Sequence, residues 1–268
     1  MIDKTFVKKS FNTSAATYDD NAGLQQRLLE NLLEFSGCAN THPKKILDIG
    51  IGTANLSIQL AQLFPQARVY GCDLAENMLL RARKKTAPNA LQLFAADAEH
   101  LPLHADSCDL SASSFTLQWL NTLEPAMREI MRVLQPGGMF FFSVFGAHTF
   151  QELRSCFLQA CQETGYDQGE ALVVPHTRAA AQQAMHVAGF SDITTETENI
   201  VEYYDSVADL VRAIKGMGAR NASSRRNKTP GVRRIWRRMV ELYEERYGSD
   251  GRIPATYEVI KGRGIRPR

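Results

Sequence analysis

The chain has 268 residues, 44% of them apolar, which suits one α/β domain large enough to bury a full core. Its net charge of +2 makes no global demand for a nucleic-acid or membrane partner, and no stretch approaches the ~18 apolar residues that would span a bilayer. The five cysteines (Cys38, Cys72, Cys108, Cys156, Cys161) form no CxxC pair and no disulfide-like spacing, so a reducing cytoplasm is expected. The opening MIDKTFVKKSFNTSAATYDD has no apolar core of leader length, and residues 3–20 read as polar and loosely ordered. Residues 21–36 place Leu24, Leu28, Leu32 and Phe35 on one helical face. Strands predicted at 45–49, 68–72, 91–95, 108–113 and 139–145 then alternate with helices at 54–63, 75–85, 124–134 and 149–164. Gly137-Gly138 reads as a helix stop and turn before the strand at Met139. Helices follow at 177–188 and 205–215, with strands at 193–197, extending toward Tyr204, and at 256–260. Roughly fifty residues lie between those two strands, too many for a hairpin, so a helical insertion is expected. The alternation predicts a mostly parallel sheet. The organisation is one domain over 1–268, with an N-terminal cap (1–36), a core (44–204), a basic helical lid (205–250) and a last strand and tail (251–268).

The stretch KKILDIGIGTANLSIQLAQLFPQARVYGCD carries the chemistry. A strand leads into Asp48, Gly50 and Gly52, a helix follows, and a second strand ends in Asp73. Glycines there let the backbone approach a ligand, since a Cβ would intrude. A dinucleotide fingerprint requires a third glycine at 55, where this chain has Asn55. A sulfonium nucleoside needs no phosphate cradle, but it carries a cationic sulfur and an ammonium, which suit Asp48. Asp73 is placed to accept both ribose hydroxyls. Asp97 follows the third strand and suits the adenine amino group, with the Ala98 amide free for a ring nitrogen. Leu74, beside Asp73, and Ser114, at the end of the fourth strand, complete the expected cofactor shell. Three acids at successive strand tips point to S-adenosylmethionine in a doubly wound sheet. No metal is expected.

The runs LDIGIGTANL, GCDLAENML, AADAEHLPL and MRVLQPGGMFFFSVFG resemble the class I S-adenosylmethionine-dependent methyltransferases over about residues 44–146. Ala54 stands at that family's usual third glycine. The resemblance implies a seven-stranded, Rossmann-like α/β sheet. A narrower resemblance spans nearly the whole chain. FNTSAATYDDNAGLQ, SFTLQWLNTLEPAMREIMRVLQPGG, FGAHTFQELR, LVRAIKGMGARNAS and IPATYEVIKGRG are similar to malonyl-acyl-carrier-protein O-methyltransferases of biotin synthesis. That family masks the free carboxylate of a malonyl thioester as a methyl ester, so that fatty-acid enzymes can elongate it toward pimelate. The implied partner is an acyl carrier protein bearing malonyl, or malonyl-coenzyme A. Trans-aconitate methyltransferases and a respiratory-complex assembly factor similar to an arginine hydroxylase share parts of the pattern. Quinone-pathway C-methylation is a further alternative.

Carboxylate methylation needs little from catalytic side chains. The acceptor is already ionised at neutral pH, so no general base is required, and the main task is to hold two reactants in line. The desolvated carboxylate still needs a partner. Arg154 is the first candidate, since its fork matches a carboxylate; His148 is a second. Gln118 and Trp119 follow the fourth strand and form the expected acceptor wall. In the resembled family the YDDNAGLQ segment closes over the cofactor, which makes Tyr18 a lid over the methyl group and Gln25 a cofactor neighbour.

Ten of the 31 Lys and Arg residues fall between Arg212 and Arg238, with no acid among them. Such a block implies an acidic partner, and carrier proteins are acidic. The expected docking residues are Arg225, Arg226, Lys228, Arg233, Arg234, Arg237 and Arg238. RNA is disfavoured, because only Trp236 interleaves as a stacking platform.

Overall fold

The computed structural model describes residues 2–165, 176–216 and 232–268. Its centre is a seven-stranded sheet in the order β3-β2-β1-β4-β5-β7-β6. The first five strands are parallel: β1 (Lys45–Ile49), β2 (Arg68–Asp73), β3 (Leu91–Ala95), β4 (Cys108–Ser114) and β5 (Leu134–Phe145). β7 (Ile253–Ile265) runs antiparallel between β5 and β6 (Ser191–Tyr204). Helices α4 (Asn55–Leu63), α5 (Glu76–Lys85), α6 (Glu124–Val133), α7 (Gln151–Thr164) and α8 (Arg178–Ala188) cover the faces.

Alternation along the strands builds two cores, because successive side chains face opposite ways. Leu47, Phe140 and Phe142 pack with Met127 and Ile130 of α6 and Met185 of α8. Ile46, Leu110 and Phe141 pack the other way, against Leu56 and Leu60 of α4 and Leu29 and Leu32 of α3 (Gly23–Ser36). β1 hands the chain to β2 on one side, while β4 returns on the other. The carboxyl edge between β1 and β4 is therefore the topological switch point, where open α/β sheets bind ligands.

Three expectations are corrected. Residues 3–20 are helical: α1 (Lys4–Ser14) and α2 (Tyr18–Asn21). The Asp3 side chain caps α1 by accepting from the Thr5 and Phe6 amides. Ile2, Phe6, Val7 and Phe11 then pack with Trp119. Polar composition masked a short amphipathic helix that finds its apolar partner across the molecule. Second, Gly137-Gly138 is no turn before a strand. α6 ends at Val133 and β5 begins at once; Gly137 (φ +81°) sits in an irregular stretch of the strand, where the register against β4 shifts. Third, the last strand is 13 residues long, where five were expected. Lys261-Gly262-Arg263-Gly264 reads as loop, yet the glycines face inward. A Cβ on Gly262 would lie 2.5 Å from the Phe142 ring, and one on Gly264 would lie 2.8 Å from Met185 Cε.

The insertion between β6 and β7 is helical, with α9 (Val207–Gly216) and α10 (Val232–Tyr247). α10 packs on α7, burying Ile235, Met239, Leu242 and Tyr243 with Cys156, Ala160 and Cys161. Among the described residues no helix is long and apolar enough to cross a membrane.

Candidate functional site

All ten residues expected to hold the cofactor line one cleft at the switch point: Tyr18, Gln25, Asp48, Gly50, Gly52, Asp73, Leu74, Asp97, Ala98 and Ser114. Asp48 is delivered by β1 into the interior, 1% exposed, where it accepts from Ser57 Oγ at 2.6 Å. Burial, reinforced by Asp73 and opposed by that hydrogen bond, pushes its carboxyl up to about 7. Asp73 ends β2 and accepts from the Gly52 amide at 2.9 Å and the Ala75 amide at 2.8 Å. Burial outweighs these bonds and raises it to about 6. Among the described residues neither acid has a cation partner. A buried carboxylate and a half-buried one beside it, both without a counter-charge, are costly, and a cationic ligand removes that cost. The donor set thus fits a nucleoside carrying a sulfonium and an ammonium.

The two glycines have different tasks. Gly50 (φ +71°) is required by the protein itself, since a Cβ would lie 2.1 Å from Thr116 Cγ2. Gly52 (φ +55°) would point a Cβ at nothing within 4 Å, so there the backbone borders open space. Ala54 takes the left-handed conformation at φ +72°, as the start of α4 requires. The methyl group is tolerated, fully buried beside Ile51 and Ala82.

The cap holds this loop through a residue that the sequence reading did not select. Asp19 accepts from Thr53 Oγ1 at 2.6 Å and Asn55 Nδ2 at 3.2 Å, and pairs with Lys85 Nζ at 3.0 Å. Burial works against its charge, but the bonds from Thr53, Lys85 and Asn55 hold the carboxyl below its ordinary range. Asn12 clasps Asn77 of α5, and Arg81 donates to the Ala16 carbonyl. Tyr18 packs on Ala75 and Met78; its hydroxyl is pushed up by burial and by Asp73. Lys4 of α1 also lines the cleft, pairing with Asp97 at 2.6 Å and with Glu99. Asp3 with Phe6, Val7 and Phe11 at helical spacing was the available signal for α1; nothing in the sequence connects Lys4 to Asp97.

The acceptor residues separate. Trp119, in a 3₁₀ turn (Leu117–Trp119) after β4, lines the cleft with Phe115 and Leu120. Gln118 is buried outside the lining. His148 and Arg154 do not line it either. The His148 amide donates to Glu258 at 2.8 Å, and Arg154 Nη1 donates to the Ala147 carbonyl at 2.8 Å. Partial burial lowers the Arg154 guanidinium pKa, and no carboxylate meets it among the described residues. On α10, Arg233, Arg234 and Arg237 are exposed. Arg238 is spent internally, on Glu163 at 2.6 Å, Glu241 at 3.3 Å and Glu245 at 3.6 Å. Arg225, Arg226 and Lys228 lie outside the described residues.

Residues 47–142 match the family description "Methyltransferase domain". A malonyl-acyl-carrier-protein O-methyltransferase from Geobacter sulfurreducens is 38% identical, over 99% of this chain and 100% of the relative. The chain belongs to the malonyl-acyl-carrier-protein O-methyltransferase family. It is an S-adenosylmethionine-dependent methyltransferase. Another relative is the biotin biosynthesis bifunctional protein BioHC of Teredinibacter turnerae, 33% identical over 96% of this chain and 46% of its own. The solved structure of YcgJ protein from Bacillus subtilis shares the fold, with a TM-score of 0.62 at 18% identity over 90% of this chain and 99% of that one.

Proposed function

We propose that the chain transfers the methyl group of S-adenosylmethionine to the free carboxylate of a malonyl thioester on an acyl carrier protein. The product is the malonyl methyl ester that enters pimelate and biotin synthesis. The observation that carries the reading is the cleft itself, where buried Asp48 and half-buried Asp73 lack a counter-ion among the described residues, in a chain of this family. In this role Asp73 receives the ribose hydroxyls and Asp48 faces the positive end of the amino-acid moiety. Asp97 and the Ala98 amide read the adenine edge, and Tyr18 and Gln25 close the cap over it. The cofactor, when bound, supplies an electrophilic methyl on a cationic sulfur. An acceptor carboxylate oxygen forms the new C–O bond, the S–C bond breaks, and its electron pair stays on sulfur. No proton moves.

The acceptor side supports an acceptor that arrives ionised. Phe115, Trp119 and Leu120 line it with Phe11 and Val7, and none of these is a base. Carbon and nitrogen acceptors more often need one; a carboxylate does not. Arg154 lies outside the lining, with its guanidinium on the Ala147 carbonyl, and is assigned no role on the malonyl group. Arg233, Arg234 and Arg237 present an exposed face to an acidic carrier protein, which steering would bring in faster at low salt. All five cysteines are buried free thiols, in keeping with a cytoplasmic enzyme. The test is mass spectrometry of malonyl-carrier protein incubated with this chain and S-adenosylmethionine. Gain of one methylene, lost on mild alkaline hydrolysis, supports the reading. An unchanged malonyl group, or a methyl that survives alkali, overturns it.

A further inference from the structure

We propose that the indole N–H of Trp119 is the hydrogen-bond donor for the acceptor's free carboxylate, selecting a thioester that still carries its acid. This rests on the carboxylate-methylation reading above.

Trp119 lines the cleft, and its Nε1 is buried with no acceptor. Buried donors are almost always met, so an unmet one on a residue that lines a ligand cleft points to a partner supplied by the ligand. The orphan is not the accident of a loose side chain. Phe11 packs edge-on against the ring, with centroids 5.5 Å apart, and Ile2, Phe6 and Val7 surround it. The turn is pinned on both sides. Trp119 N donates to the Thr116 carbonyl at 3.0 Å, Asn121 exchanges hydrogen bonds with the Ile2 backbone, and His176 Nε2 meets the Leu120 carbonyl at 3.0 Å. Gln25 Oε1, which lines the cleft, and Gln118 Oε1 are acceptors and cannot meet a carboxylate, and neither Gln118 nor Ser107 lines the cleft. The lysines at the cleft are already paired, Lys4 with Asp97 and Glu99, and Lys8 with Glu76.

A neutral donor suits this chemistry. It stabilises a desolvated carboxylate without cancelling its charge, so the second oxygen stays nucleophilic toward the cationic sulfur's methyl. The bond to the anion is charge-assisted. It weakens as the charge disappears along the transfer, and while most of that charge is still on the acceptor it holds substrate and transition state about equally. Its loss therefore falls on KM rather than kcat.

The test compares wild type with Trp119→Phe, which keeps the ring against Phe11 and removes the donor. With malonyl-carrier protein, KM rises about 10- to 100-fold, the range of a hydrogen bond to a charged group. The kcat changes by less than about threefold and S-adenosylhomocysteine affinity is unchanged. A purely structural tryptophan would instead lower kcat or cofactor affinity together with stability. A second measurement needs no functional variant. The chain has two tryptophans, so the indole proton lost in Trp119→Phe is assigned directly in the ¹⁵N-labelled protein. In the complex with S-adenosylhomocysteine that proton moves downfield on adding malonyl-carrier protein and stays in place with acetyl-carrier protein, which lacks the acid. Equal shifts for the two, no shift, or an unchanged KM in the variant overturns the assignment. Absence of methyl ester with wild-type enzyme overturns the underlying reading instead.

Discussion

The acids of the cofactor side come from one stretch of chain, residues 48–98, capped by Tyr18 and Gln25, whereas the acceptor side is assembled from α1 and the turn after β4. On the first side, strand register alone carries Asp48 and Asp73 to neighbouring strand tips, with Asp48 paired to Gly71 and Cys72 to Ile49. On the second, Trp119 meets Phe11 across 108 residues of sequence and is fixed by packing rather than by a motif. The first arrangement binds by charge and is sensitive to single acids. The second binds by shape and a single donor, and is sensitive to anything that moves the cap.

The largest expected effect breaks the cofactor side alone. Asp73→Asn weakens S-adenosylhomocysteine binding by more than about 100-fold by calorimetry, since hydrogen bonds to a charged group carry about 1.5–3 kcal/mol each. Unchanged affinity would remove Asp73 from the site. The pH dependence follows from the same acids. Both carboxyls lie above their unfolded values, so the ligand-free fold binds extra protons, and its stability falls as pH rises from about 4 to about 7. A cationic ligand favours the ionised forms. Affinity therefore climbs roughly tenfold or more from about pH 5.5 to 7.5, with protons released on binding; flat affinity in calorimetry would contradict the assignment.

The acceptor side is probed next. Reversing Arg233, Arg234 and Arg237 to Glu raises KM for malonyl-carrier protein about tenfold at low salt but leaves malonyl-coenzyme A within about twofold. Equal changes for both substrates would exclude a docking face. The smallest effect joins the two sides. Asp19→Ala releases the cap from Thr53 and Asn55 and speeds cofactor dissociation about threefold to tenfold in stopped flow, as loss of a few partly exposed hydrogen bonds warrants. An unchanged rate would mean that the cap stays shut without this latch.

The same contrast explains what was legible in the sequence. The strand tips and the glycine turn were readable, because their chemistry is local: an apolar run, an acid, a residue with positive φ. The extent of β7 was not, because Gly262 and Gly264 are strand residues only in the presence of Phe142 and Met185. Nor was α1, whose apolar face depends on Trp119. Asp19 reads as one of two acids in a polar run until the fold brings Thr53 and Lys85 to it. Arg154 illustrates the converse. Its type and its place near the sheet's carboxyl edge suggested the carboxylate clamp, yet its guanidinium rests on the Ala147 carbonyl, outside the lining. Arg238 looked like part of a docking stripe and is held by three glutamates.

The central claim is that the acids at the β1 and β2 tips await a nucleoside bearing a cationic sulfur. A crystal structure with S-adenosylhomocysteine tests it most directly. The account expects both ribose hydroxyls within hydrogen-bond distance of Asp73, the adenine beside Asp97 and Ala98, and the sulfur facing Trp119. A nucleoside bound elsewhere, or one whose ribose avoids Asp73, would contradict it.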